Sequence, residues 1–207
     1  LMGLDPKKFR QFNNLIKNKN FINSLVINVN SILYLVKKKK FNSIIINYDE
    51  KADYFFRWYQ QLVAESLGKK SKGILPLVST MPKDNHSLMQ LYLDGFKNNF
   101  FTIFNCKEQN SDKLDNHEFL ETNKYLRNQS VNSIILKQKI ATEKVFIKKK
   151  LPFRSFQIDL RDEKTIGELF CFFILETILL GQALKVNPFD QPSVELIKDE
   201  TKRQFSQ

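Results

Sequence analysis

Hydrophobic and polar positions follow two rhythms along this chain, and each switch between them marks an element. Two stretches, 6–19 and 21–38, carry apolar residues at helical spacing. NSIIINY (42–48) is then a continuous β-branched run, the pattern of a strand buried on both faces. A long helical pattern over about 50–67 follows and stops at Gly68. GILPLVSTM (73–81) reads as a second strand, ended by Pro82. Asp84, Asn85 or Ser87 is placed to cap the next helix, which runs to about Leu93 with Gly95 beyond it. NFFTIFN (99–105) reads as a third strand. A helix over about 116–141 starts at Asn116 and Glu118, with Leu120, Leu126, Val131 and Ile135 as its apolar stripe. RSFQIDL (154–160) alternates with period two, as a fourth strand. A strongly apolar helix over about 164–184 and a last helix over 193–205 complete the pattern.

Strands alternating with helices predict a parallel sheet covered on both faces, with ligands outside the carboxyl ends of the strands. A chain of 207 residues allows one domain, or one domain with an appended segment. The expected division is a domain over 1–186 and a tail helix over 187–207. The chain opens at Leu1 without a signal pattern, and its longest apolar run, 169–180, holds Glu176 and falls short of a bilayer span. A soluble, cytoplasmic protein without membrane contact is expected. Cys106 and Cys171 lie far apart and only two His are present, so neither a zinc site nor a disulfide framework is expected. The net charge of +11 suits a polyanion or a phosphorylated small molecule. The Lys runs at 37–40, 69–70 and 148–150 lack the interleaved aromatics of a nucleic-acid platform, so solvated surface is the plainer origin of the charge.

Three places hold candidate chemistry. NPFDQPSVELIK (187–198) is a turn-rich segment leading into a helix, and a helix start offers free N–H groups to an anion or sugar. Gln191 and Lys198 stand there, although Lys198 can equally pair with Glu195 or Asp199 on an exposed helix. Glu65 lies in the last turn of its helix, where the macrodipole disfavours negative charge and so suits a carboxyl that takes up and returns a proton. Gln61, four residues earlier, shares its face. The plain alternative is a solvated Glu at a fraying helix end beside Lys69. His86 sits at a strand-to-helix turn, a usual address for a ligand group, or else packs against the helix start. His117, in a polar helix start, reads as surface. A Ser/His/Asp nucleophile, a GxGxxG turn and a P-loop are absent from the sequence.

WYQQLVAESLGK (58–69), GILPLVSTM (73–81), DNHSLMQLYLDG (84–95) and GQALKVNPFDQPSVELIK (181–198) resemble, in this order, the glucose-6-phosphate isomerase family. The last is close to a family signature; Ser193 stands where the family usually has Gly or Ala. The resemblance implies a sugar-isomerase (SIS) type three-layer α/β/α sandwich with a parallel sheet and a C-terminal helical tail. It implies interconversion of glucose 6-phosphate and fructose 6-phosphate through a cis-enediol. Glu65 would then move the proton, His86 and Lys198 would serve ring opening, and Gln61 and Gln191 would touch substrate. It also implies no metal or organic cofactor, and a homodimer in which His86 reaches the neighbouring subunit's site. The family's phosphate-gripping Ser/Thr/Lys loop and its Gly-Gly-Arg segment have no counterpart in these residues. The chain thus resembles the C-terminal half of such an enzyme, and alone is expected to be feebly active at most. A non-catalytic sugar-phosphate-binding domain is the alternative, and a basic nucleic-acid-binding module a distant third.

Overall fold

Four parallel strands form the centre of the molecule: β1 (Asn42–Asn47), β2 (Leu75–Thr80), β3 (Asn99–Cys106) and β4 (Phe153–Ile158), in the spatial order β2-β1-β3-β4. The computed structural model describes residues 5–107, 111, 113–114 and 123–206. β1 is paired on both sides, with Ile45 opposite Val78 and Thr102. A central parallel strand has no solvent face, which accounts for its β-branched run, and Ile44, Ile45 and Ile46 are all buried.

Alternate positions feed two cores. Ile45, Phe100 and Phe104 meet Leu25, Val29 and Ile32 of α3 (Lys19–Lys37), Phe56, Tyr59 and Val63 of α4 (Asp53–Leu67), and Phe172 and Phe173 of α8 (Glu163–Leu184). Ile44, Ile46, Phe101 and Ile103 face the other way, against Tyr92 of α6 (Met89–Asp94) and Phe146 of α7 (Val131–Lys148). The result is an α/β/α sandwich followed by α9 (Pro192–Phe205), a helix with no buried residue.

The helices run back against the strands. Asp53, at the start of α4, accepts from the Thr80 hydroxyl at the end of β2, at 2.8 and 2.9 Å. Gln60, midway along α4, donates to the Pro76 carbonyl near the beginning of β2 at 2.9 Å. α4 therefore travels from the carboxyl to the amino end of the sheet. α8 does the same: Arg161 before it pairs with Asp49 after β1 at 2.8 Å, and the Leu184 carbonyl at its end accepts from Lys72, ahead of β2, at 2.8 Å.

Several predicted elements differ in detail. The first helical pattern breaks into α1 (Pro6–Phe9) and α2 (Phe12–Leu15), and Asn18, accepting from the amides of Asn20 and Phe21, starts α3 afresh. Gly68 does stop α4, but with φ −77°; its role is spatial, since a Cβ would lie 2.7 Å from the Ala64 carbonyl oxygen. None of Asp84, Asn85 and Ser87 caps the next helix. All three lie inside α5 (Asp84–Ser87), and the Asp84 carboxylate accepts instead from the Thr80 amide at 2.8 Å and the Ser87 hydroxyl at 3.0 Å. The helix predicted over 116–141 falls partly outside the described residues, as does His117. Its described part is α7, begun at Val131 because Ser130 accepts from the Ser133 amide at 3.2 Å; Leu126 lies ahead of it.

Among the described residues, α8 is a helix long and apolar enough to cross a membrane by length and composition, more than the run 169–180 suggested. Here it lies between α3, α4 and the sheet. Its Glu176, 1% exposed, forms a two-pronged ion pair with Arg154 of β4, with Nη2 to Oε1 at 3.0 Å. Arg154 also donates to the Thr102 hydroxyl at 2.9 Å and lies 5.2–6.0 Å from the ring centres of Phe156, Phe172 and Phe173. Burial alone would lower the Arg154 pKa, but the Glu176 carboxylate beside it raises it overall.

Candidate functional site

The last turn of α4 presents Glu65, half-buried, with Gln61 one turn before it. At this spacing the two side chains meet, and Gln61 Nε2 donates to Glu65 Oε1 at 3.0 Å. The other oxygen, Oε2, accepts from Gln191 Nε2 at 2.8 Å. Each carboxylate oxygen is thus held by one neutral amide, which orients the group without an opposing charge. Gln61 and Gln191 are themselves exposed, so the cluster opens to solvent.

Gln191 arrives from far along the chain through a built turn. α8 ends as Lys185 takes a left-handed conformation with φ 57°, and Val186 folds inward, donating to the Gly181 carbonyl at 3.0 Å. Pro188 then packs on Gly181, where a Cβ would stand 3.1 Å from the proline Cβ. Asn187 closes the turn: Oδ1 accepts from the Phe189 amide at 3.1 Å and Nδ2 donates to Asp190 Oδ2 at 3.0 Å. Lys69, just past α4, forms an ion pair with Asp190 Oδ1 at 2.9 Å and donates to the Asn187 carbonyl. The hydrogen bond from Lys69 holds the Asp190 carboxyl below the usual aspartate range, helped by the Asn187 amide. Pro192 opens α9, where its missing N–H costs nothing.

The structure brings Gln61, Glu65 and Gln191 together and places the other two candidates elsewhere. Lys198 Nζ pairs with Glu195 at 2.7 Å on exposed α9, and this hydrogen bond raises its pKa. That is the ordinary surface pairing open to it from sequence. His86 is exposed on α5, beyond the carboxyl end of β2. β2 has six residues, about 20 Å of extended chain, so His86 and Glu65 lie at opposite ends of the sheet. Glu65, Gln61 and Gln191 therefore do not lie at the carboxyl ends of the strands, where a parallel sheet leads ligands to be expected. The reason is topological: they follow helices that have already returned to the amino end. A cavity of about 440 Å³ does lie at the carboxyl ends, lined in part by Asp49, Asn105, Ser130 and Arg161, and none of the candidates lines it. Among the described residues no three His, Cys, Asp or Glu side chains gather to hold a metal ion. Sequence reasoning missed the Lys69–Asp190 tie. Its one trace there is that Asp190 adjoins Gln191 while Lys69 follows Glu65 by four positions.

Fold and site together define an α/β domain with a parallel sheet and an amide-held carboxylate at the amino end of that sheet. No family model matches the chain. It is 32% identical over 199 residues to a glucose-6-phosphate isomerase of Methanocaldococcus jannaschii, covering 94% of this chain and 49% of that protein. To the glucose-6-phosphate isomerase of Mycoplasmopsis pulmonis it is 34% identical over 203 residues, covering 95% and 48%. This chain is a homologue of glucose-6-phosphate isomerases that spans about half the length of these curated relatives, consistent with a C-terminal portion. Two crystal structures share its fold. A hypothetical protein from Thermus thermophilus matches 99% of this chain and 51% of its own, at TM-score 0.87 and 23% identity. A glucose-6-phosphate isomerase from Chlamydia trachomatis matches 80% and 35%, at TM-score 0.66 and 15% identity.

Proposed function

We propose that this chain supplies the acid–base carboxylate of an aldose–ketose isomerase that interconverts glucose 6-phosphate and fructose 6-phosphate, acting as part of a larger protein. The observation that carries the reading is Glu65, its two oxygens held by Gln61 and Gln191 on an open surface. In the proposed reaction Glu65 takes the proton from C2 of the open-chain aldose as that bond's electron pair forms the C1–C2 double bond. The C1 oxygen takes a proton from water, giving the cis-enediol. In the second half Glu65 returns the proton to C1 as the C2 hydroxyl gives its proton back to water and the carbonyl re-forms at C2. Gln61 and Gln191 orient Glu65 and contact the sugar. Lys198 serves ring opening, for which its amino group must exchange Glu195 for the sugar oxygen. His86 serves ring opening in the site of a second copy, because its own Glu65 lies at the other end of the sheet. A homodimer follows. The steps are proton transfers that call for no metal or organic cofactor. Residues 1–186 form the sugar-isomerase domain and 187–207 the tail that delivers Gln191 and Lys198; the protein works in the cytoplasm, away from membrane and nucleic acid.

The test is Glu65→Gln in the complete protein containing this chain. Isomerisation is expected to disappear while sugar-phosphate binding, measured by calorimetry, persists. Retained turnover would sink the assignment and leave a domain that binds sugar phosphate without catalysis.

A further inference from the structure

We infer that Lys69 is a positioning residue for the Glu65 site, fixing through Asp190 and the Asn187 carbonyl the turn from which Gln191 reaches Glu65. This rests on the reading of Glu65 as the acid–base group. Two ties run side by side between the same two segments. One joins Glu65 to Gln191 at 2.8 Å; the other, four residues later on one segment and one residue earlier on the other, joins Lys69 to Asp190 at 2.9 Å. The Lys69 side chain is only 10% exposed, unusual for a lysine. Its ammonium makes two contacts to one turn, charge to carboxylate and donor to carbonyl. Gln191 is exposed, so the preceding turn decides where its amide points. Lys72, from the same loop, grips the Leu184 carbonyl at the end of α8 and does not hold the turn itself.

The contribution of such a tie is one of placement. An ion pair with one exposed partner adds little to overall stability. A displacement of about 1 Å at a reacting group, by contrast, can lower turnover about a hundredfold. Lys69→Met and Asp190→Asn should therefore each lower kcat by about tenfold to a hundredfold in the complete protein, with a smaller change in KM. The pair Lys69→Met with Gln191→Ala should be no worse than the more severe single variant, because Lys69 acts only through Gln191. Lys69→Arg should restore part of the rate, and Lys72→Met should leave kcat unchanged. Multiplying losses, or an equal loss from Lys72→Met, would overturn the assignment in favour of general loosening.

A readout independent of catalysis separates this inference from the reading on which it rests. In the side-chain amide region of a ¹⁵N–¹H NMR spectrum of this chain, the Gln191 signals should move in Lys69→Met toward those seen in Glu65→Gln. Unmoved signals would refute the positioning role even with Glu65 still catalytic. Full turnover in Glu65→Gln alongside moved signals would refute the isomerase reading and leave the tie in place.

Discussion

Glu176 in the middle of α8 and Glu65 at the end of α4 are the same side chain in two settings, and their partners tell them apart. Glu176 is buried and gripped by the Arg154 guanidinium, itself stacked among phenylalanines and bonded to Thr102. Removing a charge there leaves the other uncompensated in a low-dielectric interior, so the pair is bound to the folded state. Glu65 is half-buried and held by two neutral amides, so replacing it orphans no buried partner charge. A carboxylate matched by a cation belongs to the architecture. One steadied by amides, with a side left open, is free of that constraint.

The sharpest way to break this contrast is to neutralise each acid in turn. Glu176→Gln should destabilise the fold by about 3–5 kcal/mol in chemical denaturation, because it strands Arg154. Glu65→Gln should shift stability by about 0.5 kcal/mol or less, as surface changes do. Equal losses would erase the distinction. Replacing the buried pair together, Arg154→Met with Glu176→Leu, should recover most of what Glu176→Gln loses, and failure to recover would mean that Glu176 matters for more than its charge. A smaller effect is expected in acid. The Asp190 carboxyl is held below the usual range by Lys69, so the tie is fully present above the ordinary aspartate value of about 4 and is lost as pH falls through the lowered folded value. Gln191 amide signals followed against pH should change in that acidic window; a change only above it would contradict the order of events. Smallest of all, Lys198→Met should leave the melting temperature unchanged, since it removes one exposed pairing with Glu195.

How far the sequence carried depended on the range of the physics involved. The order of strands and helices was legible because burial imposes a local pattern: β1 carries the consecutive isoleucines Ile44, Ile45 and Ile46 since both its faces are covered. The Gln61–Glu65 contact was legible for the same reason, four residues on a helix being neighbours. What was not legible depended on chain direction and distant partners. Nothing local tells that α4 delivers Glu65 to the amino end of the sheet while His86 stays at the other. The boundaries at Asn18 and Ser130 turned on which of several polar residues won the cap. Glu176 was visible only as an interruption in an apolar run, since Arg154, 22 residues earlier, gave no sign of being its partner. Lys69 looked like one more cation of a basic surface, and its 118-residue reach to Asn187 appears only in three dimensions.

The central claim, that Glu65 carries the proton between adjacent sugar carbons, is tested most directly by following deuterium. Complete protein equilibrated with fructose 6-phosphate in D₂O should place solvent deuterium on the sugar at C1 or C2, because a carboxyl exchanges its proton with water between abstraction and return. Glu65→Gln should incorporate none while still binding the sugar. Incorporation at the wild-type rate in Glu65→Gln would contradict the account.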